Sequence, residues 1–382
     1  MTKGKFSRRG FLKLGGAVVM STVGFRALAS ANQDHLLYVG TYTSGTSGKS
    51  EGIYIYRMDQ STGELKRAGS VKSENPSFLA LDPGRRFLYA VNEKPEGAVS
   101  SFRIDRKTGE LAFVNQQSSQ GADPCHLSVE SGGKSVLVAN YTSGTLAVLP
   151  IQRGGSLGAA SDVKQHEGAG PREQQKGPHA HCLKLDRANR FAFAADLGID
   201  KLMIYRFNAS TRKLDPAKHA SAFLHAGAGP RHLTFHPNGK FLYVINELDS
   251  SLTTFKYNAA QGTLTAFETV TTLPRDFSGE SFCADIHVAK SGRFLYGSNR
   301  GHNSIVVFAI DPRSGRLNLV EHVSTEGKWP RNFTIDPSGS FLLVANQHTD
   351  NVVTFRIDQQ TGRLTPAGQS TEIPTPVCLQ FS

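Results

Sequence analysis

Hydrophobic and polar positions alternate in short runs along this chain, broken every six to eight residues by turn formers. The clearest stretch is Gly229 to Phe255, GPRHLTFHPNGKFLYVINELDSSLTTF. It opens at Pro230, alternates through Leu233 and Phe235, turns at His236-Pro237-Asn238-Gly239, continues as FLYVIN, turns again at Asp249-Ser250 and ends in LTTF. This pattern predicts three short strands joined by tight turns. The unit recurs, with positions equivalent to Pro230 at Pro76, Pro124, Ala180, Cys283, Pro330 and Pro376. The second strand returns as GRRFLYAVN, NRFAFAAD, GRFLYGSN and GSFLLVAN, and the third as AVSSFRID, KLMIYRFN, SIVVFAID and NVVTFRID. A closing turn follows each unit, such as Thr62-Gly63-Glu64-Leu65, Ser314-Gly315-Arg316-Leu317 and Thr361-Gly362-Arg363-Leu364, and seven such turns mark seven units.

A period of about 46–56 residues with four strands per unit is the signature of a β-propeller. The expected fold is therefore an all-β, seven-bladed propeller of four-stranded blades over residues 35–382. The first unit starts directly with LLYVGTYT, a second-strand sequence, whereas Pro376 to Phe381 reads as an innermost strand with no blade of its own. The C-terminal strand is thus expected to complete the first blade and close the ring, hiding two sheet edges that would otherwise invite aggregation.

Composition fits many turns, with 38 glycines and 17 prolines in 382 residues. Ser7-Arg8-Arg9-Gly10-Phe11-Leu12-Lys13, the uncharged stretch after it and the Ala-rich segment ending at Ala31 resemble a twin-arginine export signal. The resemblance implies cleavage after Ala31 or Ala29, dealings with the twin-arginine export machinery and a periplasmic destination. The alternative is a chance basic start on a disordered tail. The apolar part is short and interrupted by Gly15, Gly16 and Gly24, which argues against a permanent membrane span. Six of the basic residues lie in positions 1–31, so the formal charge of +11 falls to +5 on the remainder. Those charges are scattered, with no Lys/Arg run of a nucleic-acid-binding kind. Cys125, Cys182, Cys283 and Cys378 lie far apart without metal-type spacing, each near the start of an inner strand, and read as free buried thiols. No cofactor motif follows the signal. A closed ring needs no partner for stability, so a monomer is expected.

In an antiparallel hairpin the start of the first strand lies beside the end of the second, so both positions of every unit reach one face near the central channel. At the first position stand Val377, Ser77, Cys125, His181, Arg231, Ala284 and Arg331; at the second, Tyr42, Glu93, Tyr141, Leu197, Glu247, Arg300 and Gln347. The neighbouring column adds His126, His232 and Asp285. Charge and imidazole gather on units 4, 5 and 6. Arg231 and Glu247 could also be a salt bridge tying one hairpin together, and His181 a satisfied inner-strand histidine. His179, two positions ahead of its strand, reads as a loop or supporting residue. Asp285 and His287 alternate along one strand and share a side, where they either orient Arg300 or hydrogen-bond backbone groups. Asp186, Asp336 and His236 fall in turns on the opposite face and read as turn formers. The insertion from Gln165 to Gly177 is either a tolerated loop or a partial lid over the site.

PRH followed by NEL, the PHAH start of unit 4 and ADIHVAKSGRFLYGSNR resemble the seven-bladed lactonase family that includes bacterial 6-phosphogluconolactonases and fungal carboxymuconate cyclases. That resemblance covers nearly the whole chain beyond the export segment. It implies a lactone substrate and a site of one His, two Arg and one Glu, which fall on His181, Arg231, Arg300 and Glu247. His232, Asp285, His287 and His179 are expected to contact substrate around them.

The implied chemistry is ring opening by water without a metal. Glu247 or His181 would serve as general base, and Arg231 and Arg300 would hold an anionic substituent and the developing oxyanion. Three other classes compete. A non-catalytic binding module would show aromatics in its top loops, yet Trp329 is the one tryptophan. A metal-dependent lactonase needs converging carboxylates, whereas arginines converge here. Serine hydrolysis lacks a GxSxG motif.

Overall fold

The computed structural model describes residues 34–44 and 49–382, so the export-signal reading on residues 1–31 lies outside the described residues. Seven separate four-stranded antiparallel sheets form, each built from consecutive strands except one. That one joins Pro376–Phe381 to His35–Thr41, Gly52–Met58 and Leu65–Lys72, with Leu37 opposite Phe381 and Val39 opposite Leu379. The C-terminal strand therefore completes blade 1 and closes the ring. Blade 5, the unit with the clearest sequence pattern, runs Pro230–Phe235, Phe241–Asn246, Ser251–Asn258 and Thr263–Thr271.

Apolar side chains on one face of each sheet pack against the next sheet, so the core lies between blades. Phe241, Tyr243 and Ile245 of blade 5 pack against Ile286, Leu295 and Phe308 of blade 6. Across the closure, Phe341 and Leu343 of blade 7 pack against Val39, Tyr56 and Leu379 of blade 1. The recurring aromatic strand explains itself at these junctions. The hydroxyls of Tyr38, Tyr89, Tyr243 and Tyr296 donate to the carbonyls of Gly109, Gly155, Gly315 and Gly362, the closing-turn glycines of the following blade. Gly315 has φ +75°, and a Cβ there would lie 2.6 Å from the Phe241 ring. Glycine is needed twice over, for the left-handed backbone and for the close approach.

One backbone irregularity decides what reaches the channel. The pairing of inner and second strands slips by one residue between Pro124 and His126, Ala180 and Cys182, Pro230 and His232, and Pro330 and Asn332. Such bulges leave the extra residue unpaired and re-aim its side chain. Strict alternation would send consecutive residues to opposite faces. The bulge lets Arg231 and His232 line the same narrow throat, together with Arg331 and Asn332.

The turn-forming readings hold in detail. Asp186 accepts from the amides of Arg190 and Phe191, Asp336 from those of Ser338 and Phe341, and His236 from that of Asn238. All four cysteines are free and buried. No helix among the described residues is long and apolar enough to cross a membrane.

Candidate active site

Pro230 pairs with Asn246, which sets Arg231 and Glu247 side by side at one end of the first hairpin of blade 5. Glu247 Oε2 lies 2.8 Å from Arg231 Nε and 2.8 Å from Arg300 Nη2, the latter on blade 6. The carboxylate thus ties its own hairpin and also bridges two blades. Arg231 Nη1 donates to Ala284 O at 2.6 Å, while Arg300 donates to Phe282 O and Cys283 O. Trp329 covers the Arg300 guanidinium at 5.3 Å and stacks on His348.

The electrostatics follow from this packing. Burial pushes the Glu247 carboxyl up, but Arg300 and Arg231 outweigh it and hold the group below its ordinary range. Burial, helped by Arg300 and opposed by Glu247, lowers Arg231 to about 10, which leaves it charged at neutral pH. His181, buried beside Arg231 and His232, is held well below the usual imidazole range and is neutral. Its Nδ1 lies 3.6 Å from Cys125 Sγ. Burial and the nearby Glu93 keep that thiol well above its ordinary value, so it is no ready nucleophile.

Facing this cluster is a second charged group. Arg331 on blade 7 lies 3.8 Å from Glu93 on blade 2, and Tyr42 and Ser77 both donate to the Glu93 carboxylate. Arg331 also sits over the Tyr42 ring at 5.3 Å. The two columns that identify Arg231 and Glu247 contain these residues too. Weighing units 4, 5 and 6 alone passes over them, because Arg331 of unit 7 meets Tyr42 and Glu93 of units 1 and 2 only after the ring closes.

The remaining candidates separate along the channel. His232 Nδ1 pairs with Asp285 Oδ1 at 2.8 Å, and its ring meets the His181 ring at 5.3 Å. Asp285 Oδ2 accepts from Asn332 at 2.6 Å and pairs with His287 at 3.0 Å. Asp285 therefore fixes His232 from behind, with its carboxylate spent on His232, His287, Asn332 and the Ile286 amide. Phe78, His126 and His232 pack ring against ring across the throat. His287 lies beyond this plug, in a separate cavity of about 360 Å3 with Lys184, Thr334 and Gln380. His179 stays on the rim, its ring stacked on Tyr141 at 4.5 Å and its Nδ1 3.0 Å from Tyr141 O.

The insertion is anchored by its own buried polar groups. His166 bridges Asp196 Oδ2 at 2.6 Å and Tyr205 Oη at 3.0 Å. Gln175 donates to Leu197 O and Asp200, and Arg172 to Gly227 O. Both ends are thereby tied to blade 4, and its middle to the loop entering blade 5. Among the described residues no cluster of three or more His, Cys, Asp or Glu has metal-site geometry.

A fixed anionic carboxylate, cations from three blades and a neutral imidazole suit polarisation of a carbonyl and attack by water on it. The comparisons with known proteins agree in kind. A model of the 7-bladed beta-propeller lactonases matches residues 36–381. The 6-phosphogluconolactonase of Bacillus subtilis is 40% identical over 346 residues, 90% of this chain and 97% of that protein. The 6-phosphogluconolactonase of Formosa agariphila is 35% identical over 310 residues, 79% of this chain and 86% of that one. The solved structure of the periplasmic gluconolactonase of Pseudomonas aeruginosa superimposes with a TM-score of 0.86 at 35% identity, covering 91% of this chain and 98% of that one. With the ring, its closure and this match spanning the blades, the chain belongs to the seven-bladed β-propeller lactonase family.

Proposed function

We propose that this protein hydrolyses the ester bond of a sugar lactone on the channel face. The observation that carries the reading is the Glu247 carboxylate held between Arg231 and Arg300, in a family whose relatives bear lactonase names. Water adds to the lactone carbonyl as Glu247 takes its proton. Glu247 is preferred over His181 because it is ionised and its side chain is 17% exposed, whereas His181 is 4% exposed with Nδ1 against Cys125. A carboxylate so stabilised is a weak base, and its value lies in position. Guanidinium N–H groups of Arg231, Arg300 and Arg331 stabilise the oxyanion. Collapse of the tetrahedral intermediate breaks the ring C–O bond, and Glu247 returns the proton to the leaving alkoxide. The product is an open-chain hydroxy acid.

The test is hydrolysis of gluconolactone, its 6-phosphate and a muconolactone, corrected for the spontaneous rate, with and without chelator. Activity that survives chelation and falls at least a hundredfold in Arg231→Ala and Glu247→Gln supports the reading, since general-base catalysis contributes roughly 10²–10⁴. Variants equal to the parent protein would sink it in favour of a binding module. Export by the twin-arginine route belongs to the same proposal and rests on the Arg8-Arg9 segment. Replacing both arginines with lysine is expected to hold the protein in the cytoplasm on cell fractionation.

A further inference from the structure

Next to the arginine cluster the channel face opens into a cavity of about 550 Å3, lined by Glu74, Glu93, Glu96, Asp123 and Gln347, with Lys94 the one lysine among the described residues there. Lys94 is already paired with Glu74 at 2.5 Å. Arg331 approaches Glu93 from the throat side. The field in the cavity is therefore negative. An incoming phosphate monoester, which carries about −1.5 to −2 charges at neutral pH, meets like charge there.

Arg331 is already opposed by Glu93 at 3.8 Å and lies over the Tyr42 ring, and Arg231 and Arg300 do not offset the negative field as a phosphate clamp would. Two-point recognition of phosphate needs two free nitrogens on one edge of a guanidinium. Arg231 has Nη1 on Ala284 O and Nε against Glu247, and Arg300 has Nε on Phe282 O and Nη2 on Cys283 O and Glu247. Each keeps a single terminal nitrogen outside these contacts, which suits one carbonyl oxygen and not a phosphate.

We infer that this site takes an uncharged, hydroxyl-rich lactone and discriminates against its phosphate ester, an inference that rests on the lactonase reading and narrows it. Hydroxyl groups donate to the carboxylates of the cavity, and the carbonyl end reaches the arginines. Glu96 and Asp123 then act as specificity residues.

The experiment compares kcat/KM for gluconolactone and its 6-phosphate at low ionic strength, in the parent protein and in Glu96→Gln with Asp123→Asn. The expected result is at least a tenfold preference for the uncharged lactone. That ratio should narrow severalfold in the double variant and also on raising the salt, because exposed charges are screened. Preference for the 6-phosphate, or a ratio that neither neutralisation nor salt moves, overturns this inference and leaves the lactonase reading standing. Hydrolysis of neither lactone overturns both.

Discussion

Glu247 and Arg300 sit on different blades, yet Oε2 of one lies 2.8 Å from Nη2 of the other, so the proposed catalytic carboxylate is also a strut between blades 5 and 6. Removing its charge leaves two largely buried guanidiniums facing each other. Glu247→Gln is expected to cost about 3–5 kcal/mol of stability, the usual penalty for breaking a buried ion pair, besides its loss of activity. Urea unfolding measures the first and steady-state kinetics the second. A stable but inactive variant would show that the strut contributes little to the fold.

Trp329 lies over the Arg300 guanidinium and is the one tryptophan in the sequence. Its fluorescence is expected to change on titration with a non-hydrolysed lactone analogue or the hydroxy-acid product. Arg300→Ala should abolish that change. Trp329→Ala should lower kcat/KM about tenfold, less than the ~10²-fold cost of a ~1 Å misplacement, because Phe282 O, Cys283 O and Glu247 still hold the guanidinium. An unaltered signal in saturating product would show that ligand binds away from Arg300.

His126, His181 and His232 are buried and held neutral, His126 and His181 well below the ordinary range and His232 at about 3, in each case first by burial. The unfolded chain takes up protons near pH 6.5, while the folded chain does not. Stability therefore falls as the pH drops below about 6.5, by up to ~1.4 kcal/mol per pH unit for each histidine. Below about pH 4 the loss steepens, since Glu247 and Asp285, both held below their ordinary ranges against the opposing effect of burial, begin to protonate in the unfolded chain. Urea midpoints between pH 7 and 4.5 test the first window. His126→Phe should flatten the slope, and a flat profile in the parent protein would contradict neutral burial.

Gly315→Ala should destabilise the ring by roughly 1–3 kcal/mol. A left-handed backbone is costly for alanine, and the new Cβ would press into Phe241 at 2.6 Å. Gly239→Ala makes the control, since it shares a positive φ of +70° but meets nothing within 4 Å. Thermal melts should place the control above Gly315→Ala.

Deleting the last eight residues should be far worse than ordinary terminal fraying. It removes Val377, Cys378, Leu379 and Phe381 from the core and uncovers an edge of blade 1. At about 1.5–3 kcal/mol for each large buried side chain, and with an unpaired edge exposed, the expected outcome is aggregation or loss of a cooperative melt. A soluble, cooperatively melting truncation would show that the ring closes without this strand.

The sequence by itself determined the repeat and therefore the ring, because strand period, turn residues and aromatic positions are local choices that each blade makes again. It also determined the closure, since an orphan innermost strand at one end answers a missing one at the other. Within a hairpin, pairing of first and second strands placed Arg231 beside Glu247 from spacing alone. The tertiary structure decided what depends on residues of different blades meeting: Arg331 against Glu93 once the ring has closed, and Arg300 joining Glu247 from the next blade. It also decided the bulge after Pro230, which turns both Arg231 and His232 into the throat, and sent His287 beyond the plug of Phe78, His126 and His232. Alternation along one strand records which residues share a side, but depth in a channel and the partner across it are set by how seven sheets pack around one axis.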